Sequence, residues 1–421
     1  MIVHWIWLAT RPHISDRVKA DLVRAFQDPE TIFFADKDTL RQFDDLTPEG
    51  LEALEDKNLR SAEKILRECN KENLHILTCR DAGYPQKLLN LSDYPLVFYY
   101  KGRLPDFDGS PVIGVVGTRK ATPYGLTVAK RMGYQIAKCG GILVSGLAAG
   151  IDGFAMRGAL TAGGTAVGIL GCGADQVYPP SNKGLFLDTE NYGCIMSEFP
   201  PGTPPYGYNF PKRNRIISGL SNGVLIVEAP EKSGALITAG LAADQGRDVF
   251  VVPGNIDVPT CVGSNRLLRD GAIAVSSGWD ILSEYEAQYP DKVRKNDAAS
   301  IQQAYADEAA KAVESEKPVA KVAQKPRILG KNKLSKPEKD KKVIDKGASS
   351  PYSDLNDILA ALSDDERKIV SALQNGERLT DDVIAETGLG TGKVLANLTM
   401  LEVKGVVKRL PGKRISLKQG K

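Results

Sequence analysis

Residues 112–152 read VIGVVGTRKATPYGLTVAKRMGYQIAKCGGILVSGLAAGID. An unbroken apolar run, Val112–Val116, ends in the small polar turn Gly117-Thr118-Arg119-Lys120. An amphipathic stretch, Thr127–Lys138, follows, and then a second apolar run, Ile142–Ser145, that ends in Gly146-Leu147-Ala148-Ala149-Gly150. Short runs without polar alternation fit strands buried on both faces, and helical periodicity between them fits crossover helices. Working outward, the same alternation continues through Ala166–Leu170, Gly193–Ser197, Val224–Glu228 and Val249–Pro253, with Ile151–Thr161 as another amphipathic segment. The fold class predicted over residues 110–288 is therefore α/β: a Rossmann-like, mostly parallel sheet with helices on both faces.

Ligands of such sheets bind beyond the carboxyl ends of the strands. Four of these ends carry small residues leading towards a helix: Gly117–Lys120, Ser145–Asp152, Gly171–Asp175 and Glu228–Ala235. Glycine lets the backbone approach an anion, and a helix N-terminus offers free N–H groups and the positive end of its dipole. One such turn is only a tight connection, whereas four on one sheet edge predict a phosphate-binding crevice. No GxGxxG follows a strand and no GxxxxGK[ST] is present, so neither a dinucleotide site nor a P-loop is expected.

Residues 197–217 read SEFPPGTPPYGYNFPKRNRII. Four aromatic residues, Phe199, Tyr206, Tyr208 and Phe210, run directly into Lys212, Arg213 and Arg215. Stacking of bases on aromatic rings combined with neutralisation of the backbone by cations holds single strands without sequence preference. The prolines predict an open, extended loop. Lys212 and Arg213 are the expected ligand contacts, and Arg215, beside Ile216-Ile217, is expected to turn inward.

The chain of 421 residues exceeds one ordinary core and is expected to hold several domains. A net charge of +3 requires any nucleic-acid surface to be a local patch. Six dispersed cysteines without a CxxC pair argue against a metal site or a disulfide framework and fit a reducing cytoplasm. The three histidines are His4, His13 and His75, so Ser-His-Asp and Cys-His catalysis are not available to the α/β domain. No catalytic residue, metal or cofactor is expected, and no run approaches the ~20 apolar residues that cross a bilayer.

Residues 1–75 predict a small helical domain of the SAM or helix-hairpin-helix kind, with a buried first helix and helix starts at Asp28-Pro29 and Thr47-Pro48. A short extended connector around Pro85–Tyr100 opens the second domain, 76–289. Residues 290–354, rich in Ala, Lys, Glu and Pro, read as a flexible basic linker. In residues 355–417, Ser363 and Glu366 form a capping signature, and three helices followed by two short strands predict a winged helix. Its third helix carries only Lys393 and Lys404, which leaves duplex DNA and protein as equal candidates for its partner.

Seven stretches in order, GVVGTRKATPYG, VSGLAAGIDGFA, GCGADQVYPPSN, SEFPPGTPP, FPKRNRIISGLS, EAPEKSGALITAGLAADQGRDVFVVPG and GSNRLLRDGA, resemble the DNA-processing protein A family (DprA, also called Smf). The resemblance covers about Val112 to Ile281. It implies single-stranded DNA binding, help in loading the RecA recombinase during natural transformation, and a homodimer formed through the Rossmann-like domain. It also implies that the Gly117-Thr118-Arg119 turn places Arg119 in the DNA pocket, with Lys212, Arg213 and Asn214 beside it. Ser145, Gly146, Ser233, Gly234 and Thr238 would add backbone and hydroxyl contacts. Phe210 joins this set as a ring for base stacking. Where the family commonly has a histidine after Gly-Ile-Asp, this chain has Met156. The alternative reading is a nucleotide-cleaving enzyme of the phosphoribohydrolase type, with Glu228 or Glu231 and Arg119 as its parts. The Gly-Gly-X-Gly-Thr pattern of that activity is absent; Glu231-Lys232-Ser233-Gly234 stands instead.

Overall fold

A computed structural model of the chain describes residues 1–295 except Asp44, and residues 363–417 except 374–375, 391–392, 395–396, 399–400, 403–405 and 411–413. The two described parts belong to separate compact units. Most of the expected linker, from residue 296, lies outside the described residues.

The first unit begins with six helices: α1 (Ile2–Ala9), α2 (Asp16–Phe26), α3 (Pro29–Phe34), α4 (Lys37–Leu40), α5 (Pro48–Glu55) and α6 (Arg60–Lys71). Local chemistry sets their starts. Asp28 accepts the Glu30 N–H ahead of Pro29, and Thr47 accepts the Gly50 N–H ahead of Pro48. Each cap satisfies an orphan donor, and proline loses nothing at the first helical position. Helix α1 buries Trp5, Ile6, Trp7 and Leu8.

Nine strands then form one sheet in the order β1-β2-β6-β5-β4-β3-β7-β8-β9. They are β1 (His75–Thr78), β2 (Val97–Gly102), β3 (Val112–Val116), β4 (Ile142–Ser145), β5 (Ala166–Leu170), β6 (Cys194–Ser197), β7 (Gly223–Ile226), β8 (Asp248–Val251) and β9 (Ile273–Ala274). All pairs from β6 across to β9 are parallel, and β1 and β2 add an antiparallel border beside β6. Strands β3 to β7 are buried at every residue, as continuous apolar runs require. Helices α7 (Gln86–Leu89), α8 (Pro123–Lys138), α9 (Ile151–Thr161), α10 (Lys183–Tyr192), α11 (Asn209–Leu220), α12 (Gly234–Asp244), α13 (Val262–Arg269) and α14 (Gly278–Leu282) make the connections.

Two expected boundaries shift. One apolar core runs without a break from Trp5 to Val293, so residue 75 does not separate two compact units. At the other end Tyr289 and Val293 are buried, and the Arg294 N–H donates to the Cys139 carbonyl at 3.1 Å. Residues 290–295 therefore belong to the fold rather than to the linker.

In the second unit Ser363 and Glu366 form the expected capping box at the start of α15 (Asp364–Ala372). Strand β10 (Arg378–Leu379), helix α16 (Thr380–Thr387) and strands β11 (Val407–Leu410) and β12 (Arg414–Leu417) follow. The sheet order is β10-β12-β11. The short β10 is an addition to the expected pattern. Ile369, Leu373, Val383, Val394, Leu398, Leu401 and Ile415 form the core. Lys404 lies outside the described residues. No helix among the described residues is long and apolar enough to cross a membrane.

Candidate nucleic-acid interface

From β3 the chain winds through β4, β5 and β6 on one side, then returns to lay down β7, β8 and β9 on the other. The loops leaving β3 and β7 therefore diverge, and a crevice opens at this switch point. It encloses about 510 Å³ and is lined by Gly117–Lys120, Asp152, Phe210, Arg213, Asn214, Lys232–Ala235 and Thr238, among others. The N-terminus of the 11-residue helix α12 opens into it, with the Ser233 hydroxyl capping the Ala235 N–H at 3.2 Å. Gly150, at φ +79°, supplies the left-handed turn that starts α9.

Three cations stand at the rim. Arg119 and Lys120 are exposed after β3, and Lys232 is exposed before α12. None of the three forms an ion pair among the described residues, so their charge is uncompensated. The Arg119 guanidinium lies over the Phe210 ring, 5.2 Å from its centroid. Lys120 and Lys232 were not singled out from sequence, although both sit in the turns that define the crevice.

The expected open loop over 197–217 is corrected in its second half: Asn209–Leu220 is helix α11. Pro211 falls in the first turn, where its missing N–H breaks no helical bond. The helix rotates consecutive residues by about 100°, so the cations that follow one another in sequence part company. Phe210, Arg213, Asn214 and Ile217 face the crevice. Lys212 and Arg215 face the N-terminal helices instead. Lys212 pairs with Asp16 at 2.5 Å, and Arg215 pairs with Glu198 at 2.6 Å and Asp93 at 2.9 Å. The expectation that Lys212 lines the crevice beside Arg119 is therefore not met, whereas the inward turn of Arg215 is.

Arg213 forms the wall rather than the rim. It is 4% exposed, its Nη1 donates to the carbonyls of Gly146 (3.0 Å) and Ile169, and its Nε donates to Asn214 at 3.2 Å. Burial pulls its pKa down to about 10, with Asp152 opposing that shift, so it stays charged at neutral pH. Asp152 accepts the Gly146 N–H at 3.1 Å, and burial raises its pKa against the pull of Arg213. Gly146 leaves room for this contact: a Cβ there would sit 2.6 Å from the guanidinium and would have to displace it.

The other expected contacts divide. Ser145 is fully buried, and its hydroxyl donates to the Val115 carbonyl at 2.6 Å, so it braces β4 against β3 and does not reach the crevice. Thr118 and Thr238 line the crevice, each tied to its own turn: Thr118 Oγ1 accepts the Lys120 N–H, and Thr238 Oγ1 donates to the Gly234 carbonyl. Tyr206 and Tyr208 stack on each other at 5.4 Å and are exposed. Phe199 faces a different cavity, beside Asp16 and Lys212. Met156 is fully buried under Gly168, so the position has no access to the crevice.

Glu228 bears on the enzyme reading. Its carboxylate accepts the Thr122 N–H (2.9 Å), the Thr122 hydroxyl (2.5 Å) and the Thr260 hydroxyl (3.1 Å). It is 2% exposed and anchors the capping residue of α8. A carboxylate so engaged is a brace for the turn after β3 rather than a base facing a ligand. Glu231 is exposed and is not among the residues that line the crevice.

The sheet is a doubly wound α/β sheet with a cationic crevice at its switch point, and the same chain carries a second unit with a three-stranded sheet. Residues 75–286 match the family model described as DNA recombination-mediator protein A, and residues 355–413 match the DprA winged helix domain. The chain belongs to this family. It is 35% identical over 360 residues to Protein Smf of Synechocystis, covering 83% of this chain and 82% of that one. It is 38% identical over 221 residues to the DNA processing protein DprA of Bacillus subtilis, covering 52% and 74%. Among solved structures, DprA of Streptococcus pneumoniae superposes with a TM-score of 0.61 at 29% identity, covering 68% of this chain and 98% of that one.

Proposed function

We propose that this chain is a DNA-processing protein that binds single-stranded DNA, with backbone phosphates seated in the switch-point crevice. The observation that carries the reading is the convergence of Arg119, Lys120 and Lys232, all exposed and without ion pairs among the described residues, around the N-terminus of α12. Amides at a helix N-terminus together with unneutralised cations attract phosphate oxygens. Phe210 offers an apolar ring on the same wall. Arg213 contributes by holding that wall and by its buried charge, and Gly117, Gly234 and Asn214 offer backbone and amide groups. Family membership supports the rest of the reading: protection of incoming DNA in natural transformation, assistance to RecA loading, a homodimer, and a site of action in the cytoplasm.

The test is a gel-shift comparison of an oligo(dT) strand with a duplex of equal length, run with and without RecA. Preferential retention of the single strand, and faster RecA filament formation on coated strands, are the expected outcomes. Failure to retain the single strand in dilute buffer refutes the binding. Retention without any effect on RecA refutes the loading role alone. Release of free base from nucleoside monophosphates above background would move the reading to the phosphoribohydrolase alternative.

A further inference from the structure

Helix α11 has two charged faces, and only one of them belongs to the crevice. On the other face, Lys212 and Arg215 meet Asp16 of α2, Glu198 after β6 and Asp93 before β2. Lys19 of α2 completes the cluster, 3.6 Å from Asp16, and donates to the Ala9 carbonyl at 2.8 Å. Asp16, Lys19, Glu198 and Lys212 of this cluster line a cavity of about 270 Å³. Arg215 is 5% exposed, and Glu198 Oε2 and Arg215 Nη1 find no hydrogen-bond partner among the described residues. Arg215 and Glu198 form the buried end of the cluster and Lys212 its half-exposed end, and Asp16 links the two, facing Lys212, Lys19 and Arg215 at once.

The helix that this cluster grips is the one that presents Phe210, Arg213 and Asn214 to the crevice. Phe210 is one turn or less from both Lys212 and Arg213, so a shift of α11 at one face is a shift at the other. We infer that Lys212 is a positioning residue, not a DNA contact, and that the N-terminal helices, through Asp16, hold α11 in the register that shapes the DNA-binding wall. This rests on the proposed DNA binding, and it gives the first six helices a part in that function beyond packing.

Two substitutions in the full chain, Asp16→Asn and Lys212→Met, and their combination test the inference. Affinity for fluorescein-labelled oligo(dT) is read by anisotropy as a function of salt, with thermal melting run alongside. Each single variant is expected to bind about twofold to fivefold more weakly, and the combination about as weakly as Asp16→Asn alone, because Lys212→Met removes only a pair that Asp16→Asn has already removed. The salt slope of Lys212→Met is expected to match that of the unmodified chain, since no phosphate contact is lost. A direct contact predicts the reverse pattern. Asp16→Asn would then free Lys212 and bind equally well or tighter, and Lys212→Met would flatten the slope by about 0.7. Either of those results, or unchanged affinity in both single variants, overturns the inference. If Asp16→Asn fails to fold, the slope of Lys212→Met still decides. If the unmodified chain itself ignores oligo(dT), the proposed function fails, and that control is separate from the variants.

Discussion

Replacing Arg119 by alanine removes one of three exposed cations around the crevice without touching the core, because Arg119 is on the surface and makes no ion pair among the described residues. On a single strand, each neutralised phosphate contributes about 0.7 to the log–log dependence of affinity on salt. If Arg119, Lys120 and Lys232 each meet one phosphate, the slope is about −2, and Arg119→Ala brings it to about −1.4. Relative to a 1 M reference, one lost contact lowers affinity at 0.1 M salt by about fivefold, equivalent to about 1 kcal/mol. A second effect works against this loss. Arg119 covers the Phe210 ring at 5.2 Å, and an exposed cation–π contact contributes roughly 0.5–1 kcal/mol to the unbound state. Its removal leaves the ring open to a base, so the net change in affinity is smaller than the phosphate term alone. The slope is free of that compensation and is the better measure. Anisotropy titrations of labelled oligo(dT) from 50 to ~400 mM salt span the range in which the counterion term dominates. A slope unchanged in Arg119→Ala would show that no phosphate reaches this guanidinium, and the crevice would lose its principal cation.

Three further outcomes follow from the same geometry. Arg213→Met leaves Asp152 buried without its cation and strips the Gly146 and Ile169 carbonyls of a donor; a loss of about 3–5 kcal/mol is expected in urea unfolding, and a loss below 1 kcal/mol would place Arg213 outside the wall. Gly146→Ala forces a methyl within 2.6 Å of the Arg213 guanidinium, and overpacking of about 1–3 kcal/mol is expected, visible as a lowered melting temperature; an unchanged midpoint would contradict the close approach. Burial raises the thiols of Cys69 and Cys172 to about 11 and that of Cys79 to about 12. The native state therefore keeps protons that the unfolded chain releases from about pH 8.5, so stability falls as pH rises from there through about 12. Native protein is accordingly expected to resist Ellman's reagent at pH 8 until unfolded, and rapid labelling before unfolding would oppose it.

Much of the fold could be read from sequence because the inner strands are buried on both faces. A run such as Val112–Val116, rich in β-branched residues and closed by a glycine turn, fits a strand buried on both faces. The border strands carry no such mark. Strand β1 exposes His75, β2 ends in Lys101-Gly102, and β9 is two residues long and exposed. The stretch before α11 misled for a different reason. Five prolines between 200 and 211 signal an irregular path, and the last of them sits where a helix tolerates it. Once α11 is read as a loop, the facing of Lys212 and Arg213 is lost, since only the helical rotation separates them. Their partners lie far off in the chain, Asp16 upstream of the whole sheet and Gly146 in another turn. No local pattern encodes such pairings. Of the four glycine-bearing turns expected to form one crevice, those after β3, β4 and β7 supply lining residues and Gly171–Asp175 does not, and the identity of the uncompensated cations depends on which charges find partners.

The crevice draws its walls from the turn after β3, from one flank of α11 and from the start of α12. These stretches stand far apart along the chain and come together only when β3 and β7 lie side by side. No proteolytic fragment ending before α12 can own the pocket, and none beginning after β3 can either. If a strand occupies the crevice as proposed, its binding is tied to the integrity of the whole sheet, and oligonucleotide is then expected to raise the melting point of the entire first unit rather than of a local lobe.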